Sequence, residues 1–338
     1  MAAKKATMRD IARAVGTSAV TVSKALAGKS GMSDRMRTRI LRKAEEMGYE
    51  YPRGSRLIPR EHMNIGILIP DRYFEPESFY AYMYRKLIRA LSARGHFGLL
   101  EILSPEDEGN LVLPNLLATG HAEGLILLGE PSKAYYRKIA QAGTPVVFLD
   151  FYDEQANADA VTGDNGYGSY RLTSHLIRRG HREIGFIGSA KATGSIMDRY
   201  LGYYRAMLVN DLPVRQEWIL PDRDPAGNLK APELPEELPT AFVCNCDMTA
   251  RMVIEQLRER GVRVPEDVSV TGFDDYPPGG ENDVALSTFR VNTDGMIDLA
   301  IQRLLERCAG DPSPYGRTVV SGQPVYRESE IPMDGFEA

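Results

Sequence analysis

Few side chains in this 338-residue chain have the spacing that covalent or acid–base chemistry needs. Asp274-Asp275 offers a candidate acid/base pair, but adjacent carboxylates on one loop point in different directions and cannot flank a single bond. No GxSxG, no P-loop and no GxGxxG following a strand is found. His175 and His181 have the look of metal ligands, yet no third donor lies at metal spacing and both fit better as helix-end residues. Cys244, Cys246 and Cys308 form no CxxC pair, which disfavours a zinc site or disulfide scaffold and fits a reducing compartment. No catalytic residue, metal or cofactor is therefore expected. The chemistry that remains is binding. Residues 1–60 carry fourteen Lys and Arg against five Asp and Glu, and the rest of the chain 27 against 41. A basic arm on an acidic body points to a polyanion gripped at one end, and the hydroxyls of Ser18, Thr21 and Ser23 suit phosphate contacts.

Three short helices must position that arm. Thr7 can cap a first helix through Ile11, Ala12 and Val15, with Asp10 closing a capping-box-like arrangement, and Gly16 ends it. Ser18 opens a second helix running to Leu26, before Gly28. Ser33-Asp34 opens a third, with Ile40, Leu41, Ala44 and Met47 at helical spacing and Gly48 as the stop. Helix, glycine turn, helix is the helix-turn-helix pattern, whose second helix enters the DNA major groove. Small residues at Ala12, Ala19 and Ala25 allow the pair to approach closely.

The remainder alternates apolar runs with helical stretches. Ile65–Ile69, Gly124–Leu128 and Val146–Leu149 form one series of strands, with a helix carrying Leu87, Ile88 and Leu91 after the first. Ile184–Ile187, Ala241–Cys244 and Val268–Gly272 form a second. Such alternation predicts parallel sheets with helices on both faces, and two series predict two lobes, with ligands at the carboxyl ends of strands. Length also favours a small domain plus a large one. Neither an apolar run near eighteen residues nor a leader-like stretch behind MAAKKATMRD is present, so a membrane partner is not expected and a cytoplasmic location is.

The headpiece string is specific. Asp10-Ile11-Ala12, Thr21-Val22-Ser23-Lys24-Ala25-Leu26, Ser33 and Glu46-Met47-Gly48-Tyr49 resemble the DNA-binding region of the lactose-repressor (LacI/GalR) family of bacterial regulators. Further motifs extend the resemblance over nearly the whole chain: Asp164-Asn165, His175-Leu176-Ile177 with Gly180-His181-Arg182, Arg199 with Gly202-Tyr203, Val264–Asp275, and Val325 with Arg327-Glu328-Ser329. Residues 220–240 align poorly, and Cys246-Asp247 stands where Asn-Asp is usual.

The resemblance implies a small all-α helix-turn-helix headpiece plus an α/β two-lobed, periplasmic-binding-protein-like sensor domain. The implied divisions are 1–50 for DNA binding, 51–61 for a hinge, and 62–338 for effector binding and dimerisation. The implied function is a transcriptional regulator, a repressor by preference, whose affinity for double-stranded operator DNA is set by a small molecule. A sugar or sugar derivative is favoured over a purine; a solute-binding protein without the transcriptional role is the alternative. By resemblance Ala19, Val20 and Lys24 read base edges, the apolar pair at thymine methyls and Lys24 at guanine, although Ala19 and Val20 could instead pack inside. Thr7, Ser18, Thr21 and Ser23 complete the DNA-facing set. In the hinge Arg56 fits the family count and Ile58, beside Leu57, falls at the minor-groove lever, while Tyr51-Pro52 and Gly54-Ser55 depart from the pattern. For the effector, Arg199, Asp274, Asp150, Asp247, Phe79 and Tyr80 carry over, with Arg199–Asp274 also readable as a structural ion pair and the two aromatics as core. The end at GFEA carries no leucine heptad, so a homodimer is expected rather than a tetramer.

Overall fold

The computed structural model describes residues 6–26, 32–49, 62–276 and 284–333. They belong to two compact units, a small N-terminal headpiece and a body that begins at His62.

In the headpiece α1 (Met8–Val15) begins with a full capping box. Asp10 N donates to Thr7 Oγ1 at 3.3 Å, and Thr7 N donates to Asp10 Oδ2 at 3.0 Å. Two of the backbone N–H groups that a helix start leaves unpaired are thereby satisfied. Gly16, at φ 71°, ends the helix in the left-handed region, where a side chain would be strained. Ser18 caps α2 (Ala19–Leu26) by accepting from Thr21 N at 3.0 Å, and α3 (Asp34–Glu46) follows Ser33. Ile11, Ala12 and Val15 of α1 pack on Val22, Ala25 and Leu26 of α2 and on Ile40 and Ala44 of α3. This apolar contact fixes the angle at which α2 is presented.

The body has the expected two lobes. The first is built on β1 (Asn64–Pro70), β2 (Phe97–Leu103), β3 (Gly124–Leu128), β4 (Val146–Leu149) and β5 (Asp159–Gly163), with α4 (Phe79–Ala93), α5 (Pro105–Asn110), α6 (Asn115–Ala118) and α7 (Lys133–Ala140) between them. The second contains α8 (Asn165–Arg178), β6 (Ile184–Ile187), α9 (Gly194–Val209), β7 (Ile219–Leu220), β8 (Ala241–Cys244), α10 (Asp247–Glu259) and β9 (Ser269–Thr271). The chain ends with β10 (Thr288–Arg290), α11 (Thr293–Cys308), β11 (Arg317–Val320) and β12 (Gln323–Val325).

The first sheet runs β11-β5-β4-β3-β1-β2 and the second β7-β6-β8-β9, with every pairing parallel; β10 and β12 pair antiparallel. β11 returns from the end of the chain to the first sheet, so the described backbone passes between the lobes after β5, before α11 and after β11. The inner strands are buried throughout, β3 and β4 as unbroken apolar runs, because helices cover both faces of a parallel sheet. Each fully buried Leu or Ile there contributes roughly 1.5–3 kcal/mol.

One close approach positions the cleft. α9 lies against α8 at Gly202, where a Cβ would collide with the carbonyl oxygen of Gly166. Helix packing this tight sets the height of Arg199, one turn earlier on α9. Gly202→Ala is expected to cost about 1–3 kcal/mol, as overpacking does, and to lower the urea midpoint at unchanged slope. An unchanged midpoint would mean that the two helices have room to separate.

Candidate DNA-reading face and effector cleft

On α2 the buried residues Val22, Ala25 and Leu26 face the headpiece core. Val20 is 65% exposed, and Ser23 and Lys24 are exposed too. Ala19 is half-buried and packs on the edge of the core. Of the two apolar residues expected to read bases, Val20 is therefore presented outward and Ala19 is shared between surface and core. The hydroxyls divide as well. Ser18 Oγ lies 2.8 Å from Thr21 Oγ1 while capping α2, and Thr7 is engaged in its own cap; Ser23 is the hydroxyl farther along the exposed face. A row of small, hydroxyl and cationic side chains on one helix is the surface that groove reading needs. Arg56, Leu57 and Ile58 lie outside the described residues.

The second site forms where strands of both lobes end. Arg199, 5% exposed, projects from α9. Its Nε donates to Asn165 Oδ1 at 2.8 Å and its Nη1 to the Asn245 carbonyl at 2.6 Å. Nη2 lies 3.2 Å from Asp274 Oδ1, and the guanidinium sits 4.0 Å from the centroid of the Phe273 ring. From the first lobe, Tyr80 Oη donates to Asp150 Oδ2 at 2.9 Å. Phe79 packs edge-on against Tyr80 and against Tyr276 of the second lobe, while Tyr276 stacks on Tyr82 at 4.8 Å. Five of the six expected effector residues thus contact another of the set, Arg199 with Asp274, Asp150 with Tyr80, and Tyr80 with Phe79.

Asp247 is the exception. Its Oδ1 accepts from Thr288 Oγ1 at 2.6 Å and its Oδ2 from Tyr276 N at 2.7 Å. Both oxygens take part in anchoring the segment after β9.

Enclosure sets the electrostatics. Burial, opposed by Arg199 and reinforced by Asp150, lifts the Asp274 carboxyl to about 7. Burial likewise raises Asp150, and burial together with the Asp150 carboxylate pushes the Tyr80 phenol well above its ordinary range. Asp150 and Asp274 also hold left-handed backbone, at φ 74° and 108°. Strain of this kind persists only where the surroundings over-determine it and tends to mark functional positions.

Asp275 turns away from Asp274 to Arg290, at 2.6 Å, and Arg327, at 2.7 Å, so the two carboxylates diverge as the sequence suggested. His181, buried, bonds Thr240 Oγ1 and the Ile331 carbonyl, and His175 stacks on Tyr326 beside Glu330. Among the described residues no group of three or more His, Cys, Asp or Glu side chains is arranged to hold a metal ion.

Sequence reasoning passed over several cleft residues. Asn165 and Asn245 hold Arg199. Asp222, fully buried, accepts from Ser189 N at 2.9 Å and Thr249 Oγ1 at 2.7 Å and also bonds Asn245 Nδ2. Glu130 accepts from Gly194 N at 2.7 Å. Each of the four follows a strand by one or two residues, so the rule that ligands sit beyond strand carboxyl ends, applied to every strand, would have collected them.

With this geometry in hand, comparison with known proteins is decisive. Residues 7–51 match the family described as bacterial regulatory proteins, lacI family, and residues 173–330 match the periplasmic binding protein-like domain. The chain belongs to the lacI family of bacterial regulatory proteins. Among its relatives, the HTH-type transcriptional regulator MalR of Streptomyces coelicolor is 28% identical over 97% of both chains. The ribose operon repressor of Haemophilus influenzae is 27% identical over 96% of this chain and 98% of its own. The solved complex of transcriptional regulator CelR with cellobiose shares the fold at a TM-score of 0.67 and 23% identity, over 96% of this chain and 100% of that one. As a lacI-family member the protein is a DNA-binding transcriptional regulator with a periplasmic-binding-protein-like body. No helix among the described residues is long and apolar enough to cross a membrane.

The raised Asp274 carboxyl has a pH signature. The folded group keeps its proton to higher pH than the unfolded chain, whose ordinary value is about 3.9. The folded state therefore binds more protons across this window, and its stability falls as pH rises from about 4 to about 7. Asp274→Asn cannot ionise and is expected to flatten that stretch of the stability–pH curve. Equal slopes for variant and parent would contradict the raised carboxyl.

Proposed function

We propose that this protein represses transcription as a homodimer on a near-palindromic operator, and that a small polyhydroxy molecule, a sugar or sugar derivative, binds between its lobes and changes operator affinity. The observation that carries the reading is the enclosed polar set of Arg199, Asp274, Asp150 and Tyr80 at the strand ends, on a chain whose headpiece presents Val20, Ser23 and Lys24 outward. A buried fork of donors beside carboxylates suits a ligand dense in hydroxyls. The ribose and cellobiose in the names of its relatives agree with that chemistry. One headpiece offers little area, so two acting on half-sites one helical turn apart supply the affinity.

The division of labour is 1–50 for DNA, 51–61 for the hinge and 62–338 for effector and dimerisation. The protein acts by binding rather than catalysis, since Asp274 and Asp275 serve different partners, and its work on operator DNA places it in the cytoplasm. Linkage makes the control reciprocal: an effector that weakens operator binding is itself bound less tightly by the DNA complex.

Two substitutions separate the sites. Lys24→Ala is expected to cost about 1–3 kcal/mol on the cognate operator and to relax preference at one base pair. An equal loss on every DNA sequence would make Lys24 a phosphate contact instead. Arg199→Lys keeps the cation and loses the planar fork; in a titration of sugars against the operator complex it is expected to lose the effector response at near-normal operator affinity. A wild-type response from this variant would remove Arg199 from the effector site.

A further inference from the structure

The cleft carries a charge preference that its polar groups reveal one by one. Each of its cations already has a carboxylate beside it. Arg199 directs Nε to Asn165, Nη1 to the Asn245 carbonyl and Nη2 towards Asp274. Arg223, after β7, lies 3.9 Å from Asp222. Arg72, after β1, donates to both oxygens of Glu108, at 2.7 and 3.2 Å, and to the Glu130 carbonyl at 3.0 Å.

Three of the cleft's carboxylates have no ion-pair partner within 4.0 Å among the described residues: Asp247, which accepts from Thr288 and Tyr276 N, and two more. Asp150 accepts from Tyr80, and Glu130 accepts from the backbone N–H of Gly194. Asp274 supplies a further acceptor: Oδ1 is buried and completes no hydrogen bond, even with Nη2 of Arg199 at 3.2 Å. The surplus is therefore of acceptors and of negative charge.

Glu130 matters for where it sits as well as for its sign. It leaves the first lobe after β3, crosses the cleft, and places Oε2 2.7 Å from Gly194 N, at the first residue of the sixteen-residue helix α9. A helix start is the natural seat for an anion, because unpaired N–H groups and the positive end of the macrodipole converge there. In this protein the seat is filled from within.

We propose, resting on the reading of the cleft as the effector site, that it admits neutral or amine-bearing polyhydroxy molecules and excludes phosphorylated or carboxylate ones, with Glu130 as the excluding group. Hydroxyl and ammonium donors find Asp150 and Asp274 as acceptors. A phosphate finds its helix terminus occupied and meets the Glu130 charge there.

The test uses inorganic phosphate on the full chain, followed by phosphorus NMR titration, so that it needs no knowledge of the effector. The parent protein is expected to show no saturable phosphate binding, and Glu130→Ala to gain it. The gain should vanish in Glu130→Ala/Gly194→Pro, since proline is well accommodated at a helix's first position but lacks the N–H. Saturable binding by the parent, or none by Glu130→Ala, overturns the proposal. A melting screen of matched neutral, amino and phosphorylated hexoses and pentoses supplies the second arm. Stabilisation of the parent by a phosphorylated member also overturns the charge preference. If no sugar of any class binds while phosphate behaves as expected, the exclusion by Glu130 stands and the sugar-effector reading falls.

Discussion

A guanidinium cannot shed its proton in a protein, so burying one obliges the fold to surround it with acceptors. Arg199 is that group here. Leaving a buried charge without partners is far more destabilising than forming the pair is stabilising, and the surroundings of Arg199 are built accordingly. Asn165 opens α8, Asn245 follows β8, Asp274 follows β9, and Phe273 lays its ring beside the cation. Three segments far apart in sequence are registered against a single side chain. The Gly202–Gly166 approach of α9 and α8 sets the depth at which the cation sits.

The same requirement explains how the carboxylates of the cleft are distributed. Its carboxylates are dispersed: Asp274 towards Arg199, Asp150 towards Tyr80, Asp275 towards Arg290 and Arg327, Asp247 towards Thr288 and Tyr276 N. Catalytic work on one bond needs groups converging on a common point, and these diverge to hold separate pieces of chain. What they leave between them is a surface of fixed donors and acceptors. Contacts across the lobes, Glu130 on α9 and Tyr276 on Phe79 and Tyr82, couple that recognition to the relation between lobes, which is the element an effector must bias in order to act at a distance.

Local patterning decided much of the architecture. Thr7 with Asp10, Ser18, Ser33 and the two glycine stops placed the headpiece helices because capping is a contest among neighbouring residues. Apolar runs marked β1, β3, β4, β6 and β8 because a strand covered on both faces needs no polar side, and β9 was marked by Val268 and Val270 alternating with Ser269 and Thr271. β2, β5 and β11 were not legible in this way. β2 is an edge strand with Phe97 and Ile102 exposed, β5 is the short run Asp159–Gly163 with Asp, Thr and Gly in it, and β11 alternates between exposed and half-buried.

Residue types and short spacings thus determined the helix-turn-helix and the two strand series, and the family resemblance singled out Arg199, Asp150, Asp274 and Tyr80. They could not determine partners, since a hydrogen bond between residues 64 positions apart, as from Gly194 to Glu130, leaves no periodicity in the chain. Which groups hold Asp247 and which carboxylate fills the start of α9 were decided when non-local strand order brought the ends of separate strands together, and the outward direction of Val20 was decided by the packing of the three headpiece helices. There burial and the obligation to satisfy every polar group, rather than local propensity, chose the contacts.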